Sequence, residues 1–300
     1  MTDLATTYRL LHERLSADLG ALPDKPEEDP ERTLRALWLA AKGTRRSAEL
    51  AGSGELPELE PHELEALERL VSKRLEGTPL AHLTGRQRFM GLEMLSSPEA
   101  LIPRKETELL AGAGIAFARE RMARSGDVLV LDVCTGSGNV ALALAHHVPG
   151  VRVLAADLSP TALDLARRNA GHLGLEGRVE FRCGDLLAPF DEPAFLKRVD
   201  VLTCNPPYIA SAKVASMHPE ISGHEPRLAF DGGAFGLTVV LRLLQEARRF
   251  LREAGWLAFE IGAGQGAALT KRMQGASGFA EVIPVQDASG IIRALCARVT

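Results

Sequence analysis

The spacing of apolar residues separates a helical part at the start of the chain from a longer part in which strands and helices alternate. Within residues 1–84 the apolar positions recur every three or four residues, and no convincing strand occurs. Three amphipathic stretches are predicted to be helices: Leu4–Leu15, Leu34–Ala41 and Glu63–Leu75. The Pro-rich, acidic stretch 20–33 is predicted to be a loop. We therefore expect a small all-α N-terminal domain over residues 1–84.

Residues 85–104 have the alternation of a β-hairpin and are predicted to connect two domains. Apolar and polar positions alternate over 86–103, and the pattern breaks at Ser96-Ser97-Pro98. Strand and helix patterns then alternate over residues 105–300. The predicted strands are Val128–Val133, Val151–Ala156, Val179–Arg182, Val199–Thr203, Trp256–Ile261, Ala280–Val285 and Ile291–Val299. This alternation predicts an α/β fold with a parallel sheet between two layers of helices. The last two strands are joined by a short link and are expected to be antiparallel.

Composition and charge exclude several classes of protein. Apolar residues make up 46% of the 300 residues and charged residues 25%, which excludes a disordered or fibrous chain. No apolar run approaches the ~18 residues of a membrane-spanning helix, and the charged start is not typical of a signal peptide. We therefore expect a cytoplasmic protein with no membrane partner. The formal charge of −4 does not favour nucleic acid binding. The four cysteines and eight histidines lack metal-ligand spacing, so we predict buried thiols and no metal site.

A glycine-rich turn follows the first strand of the alternating part. It is the run Asp132-Val133-Cys134-Thr135-Gly136-Ser137-Gly138, whose two glycines permit a tight turn and close approach of a ligand to the backbone. The helix that follows offers unpaired amides at its N-terminus. Asp157 ends the next strand, about 20 residues on, where a carboxylate accepts both hydroxyls of a ribose. The pattern predicts a nucleoside cofactor. Ala141 completes a GxGxxA dinucleotide fingerprint, so a nicotinamide dehydrogenase is an alternative at this point.

Two further motifs end the third and fourth strands. Asp185 can take a hydrogen bond from an adenine amino group while Leu186 covers the ring, although an Asp here can equally cap the turn. The sharper motif is Asn205-Pro206-Pro207-Tyr208, in which the prolines end the strand and leave carbonyls free to face the cleft. The amide oxygen of Asn205 and the carbonyl of Pro206 can hold the two hydrogens of one NH2 group, and Tyr208 offers a flat wall. This arrangement favours a planar amide or amino nitrogen aimed at an electrophile, which hydride transfer does not explain.

These motifs together resemble the class I S-adenosylmethionine-dependent methyltransferases and, more narrowly, the release factor glutamine N5-methyltransferases of the HemK type. Five further segments carry the narrower resemblance: GTPLAHLTG at 77–85, FMGLE at 89–93, IPRKETE at 102–108, HEPR at 224–227 and DGG at 231–233. The resemblance extends from about residue 30 to about residue 285. It implies a Rossmann-like seven-stranded sheet, a helical substrate-docking domain and a hairpin connector.

The resemblance also implies roles for individual residues. Thr135 to Gly138 would hold the methionine part of S-adenosylmethionine, and Asn205 and Pro206 would hold the glutamine of a Gly-Gly-Gln motif in a peptide chain release factor. The residues predicted to bind the cofactor are Asp132, Cys134, Thr135, Gly136, Ser137, Gly138, Asp157, Leu158, Asp185, Leu186 and Asn205. The residues predicted to act in catalysis are Asn205, Pro206, Pro207 and Tyr208. Arg104 and Glu106 are predicted either to line the substrate cleft or to form an inter-domain ion pair.

The chain departs from the family pattern mostly on the side that would meet the substrate. Cys134 stands where the family has Gly, Lys105 replaces a Pro, and Ile221–Gly223 and Ile291–Arg293 replace more polar runs. The alternatives are therefore an N-methyltransferase for another amide or a small molecule, a nucleic acid amino-group methyltransferase, and a non-catalytic cofactor-binding scaffold. The charged stretch Leu241–Arg252 is interpreted as a solvated helix face rather than an RNA-binding surface.

Overall fold

Five helices make up the start of the chain in a computed structural model, which describes residues 4–19, 25, 27–275 and 278–300. They are α1 (Leu4–Asp18), α2 (Pro30–Ala41), α3 (Ala48–Ala51), α4 (Pro61–Leu75) and α5 (Leu80–Thr84). The three predicted helices are confirmed, while α3 and α5 were not predicted because they are too short to show periodicity. Leu11, Leu15, Leu34, Leu37, Trp38, Leu67 and Val71 are buried and form the core of this helical region.

The prediction of a loop over 20–33 is wrong at its end. Residues 20–24 and 26 lie outside the described residues, but α2 already begins at Pro30. Asp29 caps this helix by accepting a hydrogen bond from the Arg32 amide at 2.7 Å. A proline at the first helical position loses no hydrogen bond, so Pro30 starts the helix rather than preventing it.

A two-stranded hairpin follows, formed by β1 (Arg86–Phe89) and β2 (Leu92–Leu95) in antiparallel register. The hairpin is confirmed, but its turn lies at Met90-Gly91, and Ser96-Ser97-Pro98 only ends β2. Met90 and Gly91 have φ values of 49° and 84°, as the favoured two-residue hairpin turns require. The Met90 amide donates to Glu108 at 2.7 Å, and the Met90 carbonyl bonds the His147 ring at 2.9 Å. These contacts fix the hairpin against the rest of the fold.

Seven strands form the central sheet and confirm the predicted α/β fold. They are β3 (Leu129–Val133), β4 (Arg152–Asp157), β5 (Val179–Cys183), β6 (Val199–Cys204), β7 (Leu251–Glu260), β8 (Phe279–Gln286) and β9 (Ile292–Val299). Their order is β5-β4-β3-β6-β7-β9-β8. The strands β3 to β7 are parallel, and β9 is antiparallel to both β7 and β8, as the short link predicted. Strand β7 begins at Leu251, five residues before the predicted Trp256, because Leu251 already pairs with Val199 of β6.

Helices cover both faces of the sheet. They are α6 (Thr107–Ser125), α7 (Asn139–His147), α8 (Pro160–His172), α9 (Ser211–Val214), α10 (Pro219–Ser222), α11 (Thr238–Phe250) and α12 (Gly266–Gln274), with 3-10 turns at Ala188–Phe190, Arg227–Ala229 and Ala234–Gly236. Helices α6 and α7 bury apolar residues on one face, and α11 and α12 bury theirs on the other. Because β3 to β7 are parallel, their carboxyl ends all lie at one edge of the sheet, which is where ligands bind in such sheets. Within the described ranges, no helix is long and apolar enough to cross a membrane.

A buried group of charges joins the helical region to the loop after β6. Arg74 of α4 donates to Glu220 of α10 at 2.9 Å and to Glu28 at 3.1 Å, and Lys25 donates to Glu220 at 2.6 Å. Burial alone would raise the pKa of Glu220, but Arg74 and Lys25 lower it below its ordinary value. Desolvation offsets most of the attraction in such a group, and loss of any one partner leaves a buried charge unpaired. The group therefore fixes where α10 lies against α4 more than it adds stability.

Candidate active site

The carboxyl ends of β3, β4, β5 and β6 open into one cleft of about 1130 Å³. Most of the predicted site residues line it: Arg104, Asp132, Cys134, Thr135, Gly136, Ser137, Asp157, Leu158, Asp185, Leu186, Asn205 and Pro207. Four predicted residues do not line it, namely Glu106, Gly138, Pro206 and Tyr208.

The glycine-rich turn after β3 forms the floor of the cleft. Gly136 and Gly138 have φ values of 54° and 82°, a region that residues with a Cβ rarely adopt. A Cβ on Gly138 would also lie 3.1 Å from the Cβ of Ala166, so α8 packs closely against this turn. Cys134 has a φ of 56° and occupies the left-handed region without being a glycine. This conformation explains why glycine suits the position, and the cysteine costs about 1–2 kcal/mol of backbone strain.

Asp132 is the buried anion of the cleft. Its carboxylate accepts hydrogen bonds from the hydroxyls of Thr135 and Thr203, each at 2.6 Å. Burial raises the pKa of Asp132 to about 6, although the two hydroxyls oppose the shift. A carboxylate held in this way at the base of a cleft favours a ligand that carries positive charge.

Asp157 joins the end of β4 to the glycine-rich turn. One of its oxygens accepts from the Gly136 amide at 2.8 Å, and the other accepts from the Ser159 amide at 2.9 Å. Burial raises the pKa of this carboxyl, and the amides oppose that rise. The neighbouring Leu158 is 52% exposed, which is unusual for a leucine and leaves an apolar surface at the cleft. Each carboxylate oxygen keeps a further lone pair for a ligand hydroxyl.

Asp185 already has a partner on α11. Arg242 donates to its two oxygens at 3.3 and 2.9 Å, so a ligand amino group would share this carboxylate with the arginine. Leu186 beside it is buried and has a φ of 48°. Of the other arginines in the predicted charged helix face, Arg249 pairs with Asp191, and Arg252 lies in β7 and pairs with Asp200. These pairs neutralise the positive charge of the stretch.

Asn205 is the first residue after β6 and turns its amide in a defined direction. Its Nδ2 donates to the hydroxyl of Thr107 at 3.3 Å, which leaves Oδ1 as the atom available to the cleft. Pro206 is buried, and among the described residues its carbonyl accepts no hydrogen bond. Tyr208 is not among the residues that line this cleft, and its role as a flat wall stays a prediction. The Tyr208 hydroxyl instead donates to Glu260 at 3.0 Å.

A second loop supports the backbone of the Asn205–Tyr208 segment. The Gly232 amide donates to the Ile209 carbonyl at 2.8 Å, and Gln265 donates to the Tyr208 carbonyl at 3.1 Å. A Cβ on Gly232 would lie 2.5 Å from the Pro207 carbonyl oxygen, so the two backbones are in direct contact. The DGG segment indicated this loop from the sequence. Thr107 lies in the IPRKETE segment, although no role was predicted for it, and no local pattern indicated Glu260 or Gln265.

Arg104 fits both interpretations that the sequence left open. It lines the cleft, and its guanidinium forms a buried ion pair with Glu225, which also accepts from the Ile102 amide at 2.8 Å. The partner in this ion pair lies in the HEPR segment. The charge of Glu106 instead contributes to raising the pKa values of Tyr208 and Glu260, after the larger effect of burial.

The prediction that the four cysteines are buried thiols is only partly confirmed. Cys204 and Cys296 are buried, but Cys134 is half-buried and Cys183 is exposed, and all four are free thiols. Burial raises the pKa of Cys296 to about 12, so this thiol stays protonated. In the part of the chain that the structure describes, no cluster of His, Cys, Asp or Glu could hold a metal ion.

Comparison with known proteins relates both parts of the chain to one family. Residues 130–222 match a methyltransferase domain model, and residues 20–85 match a model described as the PrmC N-terminal domain. The chain is 36% identical to the release factor glutamine methyltransferase of Geobacter sulfurreducens over 280 residues, covering 93% of each chain. It is 34% identical to the protein of that name from Bacillus subtilis, covering 89% of this chain and 91% of the relative.

Solved structures agree on the fold. The hMettl16 catalytic domain in complex with MAT2A 3'UTR hairpin 6 is similar with a TM-score of 0.53, covering 90% of this chain and 94% of that chain. Its sequence identity is 19%, so this likeness shows a shared fold and nothing about the substrate. The release factor glutamine methyltransferases are similar over nearly the whole chain and at higher identity. The chain belongs to the release factor glutamine methyltransferase family.

Proposed function

We propose that this protein transfers a methyl group from S-adenosylmethionine to the side-chain amide nitrogen of a glutamine in the Gly-Gly-Gln motif of a peptide chain release factor. The observation that carries the proposal is the orientation of Asn205, whose nitrogen is bonded to Thr107 so that its oxygen is the acceptor on the cleft side. A glutamine NH2 group needs such an acceptor to be aimed. The names of the relatives support the choice of substrate.

The residues of the cleft fit S-adenosylmethionine. The glycine-rich turn allows close approach of the methionine part, and the anion of Asp132 favours its positive charge. Asp157 has lone pairs for the two ribose hydroxyls, and Leu158 and Leu186 offer apolar surface for the adenosine. Asp185 can accept from the adenine amino group beside Arg242. When bound, the cofactor supplies an electrophilic methyl group on a sulfonium.

The Asn205–Tyr208 segment orients the nucleophile. The glutamine NH2 group donates to Oδ1 of Asn205 in the cleft lining and to the carbonyl of Pro206, which lies outside that lining and turns towards the cleft when substrate binds. The two bonds direct the nitrogen lone pair towards the methyl group. An amide nitrogen is a weak nucleophile, so positioning and exclusion of water supply much of the rate. Both hydrogen bonds strengthen as positive charge develops on nitrogen, and they therefore stabilise the transition state more than the ground state. Arg104, held by Glu225, forms part of the wall that the substrate meets.

The three parts of the chain have separate roles in this proposal. Residues 1–84 dock the release factor, and residues 85–104 connect this region to the rest of the chain. Residues 105–300 bind the cofactor and carry out methyl transfer. We expect the reaction to take place in the cytoplasm. A nucleic acid substrate is not favoured, because the net charge is −4 and Arg242 and Arg249 of α11 are paired with Asp185 and Asp191. A non-catalytic scaffold is not favoured, because the amide oxygen of Asn205 faces the cleft.

The proposal is tested by methyl transfer from radiolabelled S-adenosylmethionine to a purified release factor. A variant factor in which the glutamine of the Gly-Gly-Gln motif is changed serves as the matched control. We expect label on the native factor and none on the variant. Equal labelling of both factors would exclude this glutamine as the acceptor. No label on either, with the cofactor still bound in calorimetry, would exclude the release factor and favour a small-molecule amide.

Replacement of Asp157 by alanine is expected to raise the dissociation constant of S-adenosylmethionine by about 100-fold or more. The change removes two charge-assisted hydrogen bonds to ribose hydroxyls, each with a net contribution of about 1.5–3 kcal/mol. It also frees the Gly136 amide that Asp157 holds. Isothermal titration calorimetry measures the effect. Asp164→Ala, on the exposed side of α8, is the control and should leave affinity unchanged. Equal affinities for the two variants would contradict the assignment of Asp157.

A further inference from the structure

Two buried side chains, Thr107 in the cleft lining and Glu260 outside it, bond the two ends of the Asn205–Tyr208 segment. At one end, the Asn205 Nδ2 donates to the hydroxyl of Thr107 at 3.3 Å. At the other end, the Tyr208 hydroxyl donates to Oε1 of Glu260 at 3.0 Å. Thr107 is the first residue of α6 and is 1% exposed, and Glu260 is the last residue of β7 and is 2% exposed. In the transfer described above Thr107 holds the Asn205 nitrogen, whereas Glu260 has no role there.

The directions of these hydrogen bonds depend on one another. A threonine hydroxyl has a single proton, and while it accepts from Asn205 this proton must point elsewhere. Glu260 provides the acceptor, because its Oε2 is buried and accepts no hydrogen bond from the described residues, so it has lone pairs for the Thr107 proton. Burial raises the pKa of Glu260, and the neighbouring hydroxyl of Thr107 opposes that rise. Asn205 therefore donates a hydrogen bond to Thr107, and Thr107 donates one to Glu260.

We propose that Thr107 and Glu260 are positioning residues that set the orientation of the Asn205 amide, so that its oxygen rather than its nitrogen faces the methyl acceptor. The two ends of an Asn amide have the same shape, and only hydrogen-bond partners distinguish them. Without the acceptor at Glu260, the Thr107 proton can turn to Asn205 and favour the opposite orientation. The opposite orientation would present a donor to the donor NH2 group of the substrate. The expected effect on turnover rests on the proposed function. The orientation of the Asn205 amide does not, because it is a property of the protein without substrate.

The ionised form of Glu260 is the one that fixes this direction. Burial raises the pKa of Glu260 to about 7, and the hydroxyls of Thr107 and Tyr208 oppose the rise. Glu106 adds to the rise from the side of α6, and Arg293 on β9 opposes it. Arg293 is itself paired with Asp287 at 2.7 Å. Below about pH 7 the carboxyl gains a proton and becomes a donor, so turnover should fall on the acidic side and rise with increasing pH.

The test compares Thr107→Val, which keeps the shape and removes the hydroxyl, with Thr107→Ser, which keeps the hydroxyl. We expect Thr107→Val to lower kcat about 10- to 100-fold, because it removes one hydrogen bond that orients a group for the transition state. The KM for the release factor and the affinity for the cofactor should stay within about threefold of the wild-type values. Thr107→Ser should keep kcat within about threefold of the wild type. Equal kcat values for the two variants, or a change confined to KM, would overturn the proposal.

The pH dependence of kcat in Glu260→Gln distinguishes a positioning role from a merely structural one, because a structural role would not change it. In this variant kcat should be reduced, and its fall below about pH 7 should disappear because the titrating group is absent. Persistence of the same acidic limb would overturn the role of Glu260.

A second measurement separates this inference from the proposed function. The side-chain NH2 protons of Asn205, assigned in ¹⁵N NMR spectra by their loss in Asn205→Ala, should exchange with water faster in Thr107→Val than in the wild type or in Thr107→Ser. This measurement needs no methyl acceptor. Faster exchange without any transfer to release factor would contradict the proposed substrate alone, and unchanged exchange would contradict the positioning role alone.

Discussion

Asn205→Ala is expected to lower kcat for methyl transfer about 10³-fold, the size of effect seen when one group aimed at developing charge is removed. The variant loses the only side-chain acceptor of the Asn205–Tyr208 segment that faces the cleft. The backbone carbonyl of Pro206 then holds the substrate NH2 group alone, and the nitrogen is free to rotate away from the methyl group. The cofactor keeps its contacts with the glycine-rich turn and Asp157, so its dissociation constant should change by less than about threefold.

Single-turnover kinetics and calorimetry measure these two quantities on the same preparation. Thermal unfolding should be nearly unchanged, because Asn205 makes one long hydrogen bond to Thr107 and is only half-buried. The contrast with Asp157→Ala is the internal control, since that change acts on cofactor affinity. Weakened cofactor binding with unchanged turnover in Asn205→Ala would refute the assignment of Asn205 to the methyl acceptor.

Gly236→Ala is expected to lower the free energy of unfolding by about 2–4 kcal/mol and to remove most of the activity. A Cβ at this position would lie 2.7 Å from the carbonyl carbon of Tyr208 and closer still to its oxygen. These are backbone atoms that cannot rotate away, and overpacking of this kind costs about 1–3 kcal/mol. Gly236 also has a φ of +69°, which adds about 1 kcal/mol for alanine. Any relief of the clash moves Tyr208 and with it the rest of the segment.

Gly264→Ala is the matched control for this prediction. Gly264 has a φ of +90°, but a Cβ there would have nothing within 4 Å. This variant should lose about 1 kcal/mol and keep its activity, because it carries the backbone cost without the clash. Denaturant unfolding and the methyl transfer assay distinguish the two variants. Equal losses of stability and activity in the two variants would contradict the conclusion that the contact between Gly236 and Tyr208 causes the effect.

Much of the fold follows from local patterns. Each strand of the sheet is a short apolar run between turn residues, and a short link between β8 and β9 is enough to predict an antiparallel pair. The errors also have local causes. Strand β7 begins before its apolar run because Leu251 pairs with Val199 across an irregular register, and α2 begins at Pro30 because Asp29 caps it. Helix α3 spans only four residues, too few for a periodic signal.

The residues that line the cleft were predictable because short sequence motifs contain them. Asp132 and Asp157 lie at the carboxyl ends of β3 and β4, Asn205 follows β6, and parallel strands bring such ends to one edge of the sheet. The sequence by itself therefore determined the fold class, the family and most of the cleft lining. It did not determine how each side chain is turned.

Only the tertiary structure decided which distant side chains orient these motifs. Thr107 is 98 residues from Asn205, Glu260 is 52 residues from Tyr208, and Glu225 is 121 residues from Arg104. Hydrogen bonds act over about 3 Å, whereas sequence patterns report only the preferences of neighbouring residues. Which hydroxyl reaches which amide depends on how α6 and β7 pack around the end of β6. That packing turned Tyr208 towards Glu260 and left the amide oxygen of Asn205 facing the cleft.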